Sequence, residues 1–346
     1  MSENITKIDS PFKWPVASGY KISDEMLTAE NEGTLRFYSP LDHPEICTDL
    51  SKIGDGDDHN AIVAFARKWG LLGYERKVPL GTAFLAEVEP DLWERSDPSS
   101  DFREPVSWIA AHGSGIRVCL ELLDGLKNNE QQELISYLKI LSQKPLIPDE
   151  SLPVILEPDC EAFSTRHGDD VALIIDIPDP DLLTCSHIDS EILEPLREDI
   201  EATNQLIISL TYGIEGRIMT SVFIGRKDEP QTFARTIIRT IINYNFAGLT
   251  PVMTSLKNDF ELVFDFAALT DIIYLHLSNL TLEKVGLEKC DECGSFFPKT
   301  DQRQKYCPPD PWAVEMARKR GKKAESNCAL RHRQNKLRKR RKGKPT

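Results

Sequence analysis

Long hydrophobic runs are missing from this chain of 346 residues. The most apolar helical stretch, Leu269 to Leu282, is shorter than the roughly 20 residues a membrane-crossing helix needs, so no membrane partner is expected. Met1 to Lys21 is polar and holds no apolar core of the kind a secretory signal carries. The expectation is a cytoplasmic protein whose thiols stay reduced. There is no phosphate-cradling glycine motif, no G-x-S-x-G turn and no internal repeat. No histidine stands in sequence near an obvious nucleophile. These gaps remove the common sequence signs of nucleotide and serine hydrolysis; no catalytic residue is assigned and no enzyme activity is expected.

What is present fits a globular chain, with 40% hydrophobic and 28% charged residues. The length suggests two or three domains. The net charge of −13 conceals a division. From Lys299 onward there are 17 lysines and arginines against 4 acids, whereas the preceding 298 residues carry 25 against 51. A strongly acidic body joined to a strongly basic tail implies two surfaces with different partners.

Cysteine is scarce, yet four of the 8 fall within 39 residues near the C-terminus. Cys290 and Cys293 form a C-x2-C pair, and Cys307 and Cys328 a wide C-x20-C pair, with 13 residues between the pairs. Thiolates suit tetrahedral zinc, which prefers sulfur and nitrogen ligands. Gly294, directly after the short pair, leaves the backbone free to fold round the metal, and Phe296 and Phe297 follow as an adjoining hairpin. The plainer reading, four buried free thiols, fits poorly with polar and basic surroundings. The expected metal set is Cys290, Cys293, Cys307 and Cys328, with zinc as the cofactor. Four thiols fill the coordination sphere, which makes the ion structural rather than catalytic.

Beyond Cys328 the chain is densely cationic. A helix capped by Ser326 or Asn327 and entered at Cys328 is expected to run to about Arg341. Leu330 and Leu337 would mark its one apolar edge, lying on Phe296 and Phe297. Arg331, Arg333, Lys336, Arg338, Lys339, Arg340 and Arg341 occupy the other faces. Like charges at helical spacing destabilise an isolated helix, whereas a polyphosphate would reverse that cost. Lysine and arginine contacts hold a backbone without reading sequence, so Arg331, Gln334 and Asn335 are the candidates for base edges. The alternative is a solvated cationic tail.

The C-terminal stretch resembles the treble-clef-type zinc finger of bacterial CGNR proteins. Cys290 and Cys293 match the knuckle, and Arg303 to Cys307 (Arg-Gln-Lys-Tyr-Cys) the middle segment. Cys328-Ala-Leu-Arg331 matches the final Cys-Gly-Asn-Arg element at its cysteine and arginine only, and a longer insertion precedes it. The body is similar to a broad set of prokaryotic proteins that end in such fingers. The similar stretches are Phe65-Ala-Arg-Lys-Trp-Gly-Leu-Leu-Gly73, Glu104-Pro-Val-Ser-Trp108 and the hairpin-helix unit before the finger. The resemblance implies a DNA-binding transcription regulator.

In the body, residues 1 to about 35 read as a loose arm, or one ordered only by docking, whose Pro11-Phe12-Lys13-Trp14-Pro15 knot lies as a strap on the rest. Phe37 to Asp58 is turn-rich. Its Asp55-Gly-Asp-Asp-His59 segment lacks the glycine and glutamate of a calcium loop, and Asp57 or Asp58 instead caps a helix over Asn60 to Trp69. A second helix is expected from Pro105, weakened by Gly113 and Gly115, with His112 as a hydrogen-bonded core or boundary residue rather than a ligand. Further expectations are helices over Gln131–Leu141, Glu191–Leu210 and Gln231–Phe246, and strands over Val171–Ile177 and Met219–Ile224. Cys160 and Cys185 lack close cysteine neighbours and are assigned no metal. Val252–Leu256 and Phe260–Phe266 form a hairpin leading to the Leu269–Leu282 helix, which would hold the finger in place.

The fold expected is α+β: a mainly helical part over 1–145, a mixed body over 146–284, and a finger with a basic helix over 285–346. The leading expectation is a zinc-finger nucleic-acid-binding regulator, DNA favoured over RNA, whose acidic body senses a ligand or forms a homodimer. The alternative is a zinc-stabilised interaction module whose basic tail docks on an acidic partner or on its own body.

Overall fold

The computed structural model describes residues 12–30, 35–53, 58–73, 103–127, 131–143, 163–167, 170–176, 205–214, 217–246, 250–256, 259–266, 268–282, 285–299 and 301–342. The expected α+β class holds: helices pack beside small antiparallel sheets. The largest sheet joins β6 (Phe163–His167), β7 (Asp170–Asp176), β9 (Arg217–Arg226) and β8 (Gln205–Ile214) in that spatial order. The pairing of β8 with β9 runs from Gln205↔Arg226 to Ile214↔Arg217.

Against β8 lie α3 (Val106–Lys127) and α4 (Gln131–Gln143), with α5 (Pro230–Phe246) packed on α3 and α4. Trp108, Ile109, Ile116, Cys119, Leu120 and Leu123 of α3 are all buried, as their helical spacing predicts. From α5, Phe233, Ile237, Ile238, Ile241 and Ile242 enter the same core. His112 is a core histidine, sharing a 3.0 Å hydrogen bond between Nδ1 and Tyr274 Oη.

Four expectations need correction. The 1–35 arm is not loose over 12–30: β1 (Trp14–Val16), β2 (Gly19–Ser23) and β3 (Met26–Glu30) form there. Trp14, Tyr20 and Leu27 are buried, and Trp14 Nε1 donates to Leu71 O at 2.8 Å. The α3 helix starts one residue after Pro105, because Arg103–Pro105 is strand β5, paired with β3. Gln205 to Leu210 is strand rather than helix end, its alternate residues Leu206, Ile208 and Leu210 being buried; 177–204 lies outside the described residues. The turn-rich 37–58 stretch holds β4 (Arg36–Tyr38, begun one residue earlier), paired with β1, and a short helix α1 (Glu45–Leu50).

α1 links the sheet-and-helix core to the finger. It packs on α3 and on α6 (Leu269–Thr281), and Ile46, Cys47 and Leu50 are fully buried. Helix α2 (His59–Trp69) follows, with Asp58 accepting from Ala61 N at 3.0 Å as its cap. Of the acidic loop expected there, 54–57 lies outside the described residues. The hairpin of β10 (Thr250–Leu256) and β11 (Asp259–Asp265) precedes α6.

Two of the glycines of α3, Gly113 and Gly115, are required by packing. A Cβ on Gly115 would sit 2.7 Å from Tyr212 Cβ, and one on Gly113 would sit 2.9 Å from Leu50 O. Gly115→Ala gains up to about 1 kcal/mol of helix propensity, but overpacking costs about 1–3 kcal/mol. The expected result is a net loss of stability in denaturant titration; a rise would show that α3 does not approach β8 this closely.

Candidate metal centre

The finger begins with a hairpin of β12 (Gly286–Lys289) and β13 (Phe296–Lys299). Cys290 to Gly294 is the tight knuckle between them: Cys290 N donates to Ser295 O at 2.9 Å and Gly294 N to Cys290 O at 2.8 Å. Gly294 has φ +72°, the left-handed region glycine favours, while a Cβ there would meet nothing within 4 Å. The backbone angle, not crowding round the metal, therefore calls for glycine. Asp291 N donates to Lys305 O at 3.1 Å, which brings the Lys305–Cys307 segment alongside the knuckle.

The fourth cysteine arrives on the first turn of α8 (Asn327–Lys342). Ser326 caps that helix, its Oγ accepting from Ala329 N at 3.0 Å. Between Cys307 and α8 the basic insertion contains a helix that was not expected, α7 (Pro311–Lys319). Asp310 Oδ1 accepts from Trp312 N at 2.9 Å and proline opens the first turn. Trp312 latches the insertion onto the body. Its Nε1 donates to Lys68 O at 3.1 Å, its ring meets Tyr38 edge-on, and the Arg36 guanidinium lies 4.3 Å from its centroid.

The sulfurs of Cys290, Cys293, Cys307 and Cys328 all lie within 4.8 Å of one another, with Cys293 and Cys307 3.5 Å apart. Tetrahedral zinc with bonds of about 2.3 Å would set sulfurs about 3.8 Å apart. The four residues therefore fit a thiolate-bound ion in both chemistry and spacing. Cys290 and Cys328 are buried with Phe297 in a small cluster flanked by Tyr306, whereas Cys293 is exposed. No position for water or substrate remains once four sulfurs bind.

The surroundings act unequally on the sulfurs. At Cys293 burial raises the thiol, but hydrogen bonding from Ser295 and the neighbouring sulfurs outweighs it and brings the pKa down to about 6. Burial pushes Cys328 up to about 11 and Cys307 higher still; the charge of Lys52 opposes the rise at Cys307. Arg331 directs an Nη2 donor at Cys328 Sγ, 3.8 Å away. The positive N-terminus of α8 points the same way.

An open cleft of about 310 Å³ runs past the centre, between finger and body. Thr48, Asp49 and Lys52 line its body side, and Cys293, Cys307, Asn327 and Arg331 its finger side. Asp49 accepts from Lys52 at 2.6 Å, from Lys68 at 2.7 Å and from Trp69 Nε1 at 3.0 Å. Burial alone would raise its carboxyl, but the Lys68 and Lys52 charges hold it below the usual carboxylate value. The finger is also anchored through Lys289, whose ammonium reaches Asp124 at 2.8 Å and Glu121 at 3.3 Å on α3. Leu287 and Phe296 belong to the main core. The finger thus rests on α1 through β13 and on α3 through Lys289.

No protein-family model matches this chain, and no curated protein or solved structure is similar to it. Residue geometry alone carries the functional reading. Among the described residues no helix is long and apolar enough to cross a membrane.

Residues 330–338 are all exposed but differ in their contacts. Arg331 is turned to the metal cluster, Asn335 Nδ2 donates to Glu292 Oε1 at 3.0 Å, and Arg333 pairs with Glu325. His332 joins the same side, 3.3 Å from Glu292 and tilted on the Tyr306 ring. Gln334, Lys336 and Arg338 are exposed. The side chains of Lys339, Arg340 and Arg341, and Cys160 and Cys185, lie outside the described residues. The expected packing of Leu330 and Leu337 on Phe296 and Phe297 is overturned: both leucines are exposed, at 38% and 49%. Cys328 takes the inward face instead, and the leucines fall on the opposite one. Sequence reading missed α1, with Asp49 and Lys52, because six residues between turns carry too little periodicity. It missed α7 as well, although Asp310-Pro311 is a helix-start signal.

Purified protein should hold one zinc per chain. Cys328→Ser should lower that content and lose α8 helicity, whereas Cys119→Ser, in the body core, should keep the full complement; metal analysis with circular dichroism reads both. Full zinc in Cys328→Ser would remove Cys328 from the ligand set. Because the folded pKa of Asp49 lies below its unfolded value of about 3.9, its stabilisation is present above that value and is lost as pH falls through the folded one. Asp49→Asn should cost about 1–3 kcal/mol near neutral pH and flatten the acid limb of the stability curve. Identical limbs in denaturant titrations of both proteins would refute the account of Asp49.

Proposed function

We propose that this chain is a zinc-finger nucleic-acid-binding protein, a DNA-binding regulator, in which the ion fixes a cationic helix on an acidic body. The observation that carries the reading is the place of Cys328. A metal ligand sits on the first turn of a 16-residue helix whose residues 330–338 are exposed and include Arg331, Arg333, Lys336 and Arg338. Zinc gives such a helix a fixed root, and structural zinc contributes roughly 10–16 kcal/mol to folding in finger peptides. The knuckle, the hairpin and a ligand on a helix start support kinship with CGNR-type fingers. Four sulfur ligands favour a structural ion over a catalytic one.

An acidic body repels nucleic acid while the basic helix attracts it, so the charge division favours contact through the tail alone. The alternative, a tail docked on the acidic body, draws less support. Among the described residues the carboxylates bonded to α8 are those of Glu292 and Glu325, both in the finger. Docking on a separate acidic protein remains the second reading.

Five phosphate contacts would give log K against log salt a slope of about −4.5 on duplex DNA. Replacing Arg338, Lys339, Arg340 and Arg341 with alanine should weaken binding to every duplex and make that slope shallower by several units. Anisotropy titrations over a salt series read both quantities. Unchanged affinity and slope would reject the tail as the binding element.

A further inference from the structure

Helix α8 has two faces with different occupants. Cys328, Arg331, His332 and Asn335 recur at three- and four-residue intervals and all engage the finger. Leu330, Gln334 and Leu337 recur at the same intervals on the opposite side. Both leucines are large exposed apolar groups, and Gln334 between them is exposed. Lys336 and Arg338, both exposed, flank this stripe.

We infer that the outward stripe Leu330–Gln334–Leu337, rather than Arg331 or Asn335, is the surface that reads base edges in the major groove of duplex DNA. The inference rests on the proposed nucleic-acid function and assigns the partner and the reading residues. A side-chain-bearing helix is about 10–12 Å wide and fits the B-form major groove of about 12 Å. The major groove of A-form RNA is too narrow and deep to admit it. A glutamine amide presents the donor and acceptor that match adenine N6 and N7, and an aliphatic side chain packs on the thymine methyl. The stripe therefore selects A·T steps, while Lys336 and Arg338 grip phosphates on either side.

Other occupants fit less well. A second copy of α8 would bring Arg333, Lys336 and Arg338 against their own equivalents, and like charges oppose that approach. A lipid surface is bound by helices with a broad apolar face, usually carrying tryptophan or phenylalanine, whereas this stripe offers two leucines and no aromatic residue. Arg331 and Asn335, although exposed, bond to Cys328 and Glu292, and turning either outward would strip that hydrogen bond from the finger.

The test uses the full-length zinc-loaded protein, selection from a random duplex pool, and competition between the selected duplex and a scrambled one. Metal content is measured on every variant as the folding control. The selected duplexes should share A·T steps. Gln334→Ala and Leu337→Ala should each reduce the selected-to-scrambled affinity ratio by about 5- to 100-fold, with the salt slope unchanged. Lys336→Ala should weaken both duplexes equally and make the slope shallower by about 0.9. If Asn335→Ala or Arg331→Ala erases the preference at full metal content while Gln334→Ala does not, the stripe is wrong but the DNA-binding reading stands. Salt-dependent binding with no sequence preference also overturns the stripe and leaves that reading intact. Preference for an RNA, or for an acidic protein over any duplex, overturns both.

Discussion

Convergence of four sulfurs on one point is the constraint from which the C-terminal structure follows. Cys290 and Cys293 come from a knuckle, Cys307 from an irregular segment and Cys328 from a helix start. Backbone bonding within the knuckle, and between it and Lys305, sets the first three near one another. The fourth must return across 20 residues, whose loop entropy opposes closure. A metal–thiolate bond would offset that cost, and Trp312 shortens the free loop by pinning α7 to the body. The doubly negative centre that zinc and four thiolates would form is met by Lys52, Arg331 and the N-terminus of α8.

The finger is consequently a wall of the body rather than an appended module. Leu287 and Phe296 share the main apolar cluster, α1 lies under β13, and Lys289 is held by two carboxylates of α3. Coupling between centre and body runs through Asp49 and Lys52, which face the cleft from α1 and the turn after it. A conformational effect on the body therefore has a short physical route to the finger. The outward face of α8 stays clear of all this packing, which leaves its charge and its two leucines to act on a partner.

The sequence was informative where periodicity or spacing was strong. The core faces of α2, α3 and α5 could be read from residues such as Phe65, Trp108 and Ile237, because three- and four-residue spacing marks one buried side. The cysteine spacing and Gly294 marked the knuckle, and the Ser326-Asn327 pair marked the start of α8 without settling which of the two caps it. Two kinds of information were out of reach. Strands β1 to β3 are short, β1 and β3 pair with the distant β4 and β5, and polar residues such as Lys21 and Thr28 in the β2–β3 hairpin hid a sheet. Side-chain commitments across the finger were invisible as well. Nothing in the order of residues shows that Arg331 and Asn335 turn to Cys328 and Glu292 while Leu330 and Leu337 face outward.

X-ray absorption at the zinc edge of the purified protein tests the central claim most directly. A single first shell of four sulfurs at about 2.3 Å is the result this account predicts. A shell containing nitrogen or oxygen in place of one or more sulfurs would contradict it, because Cys328 would no longer root the basic helix on the ion.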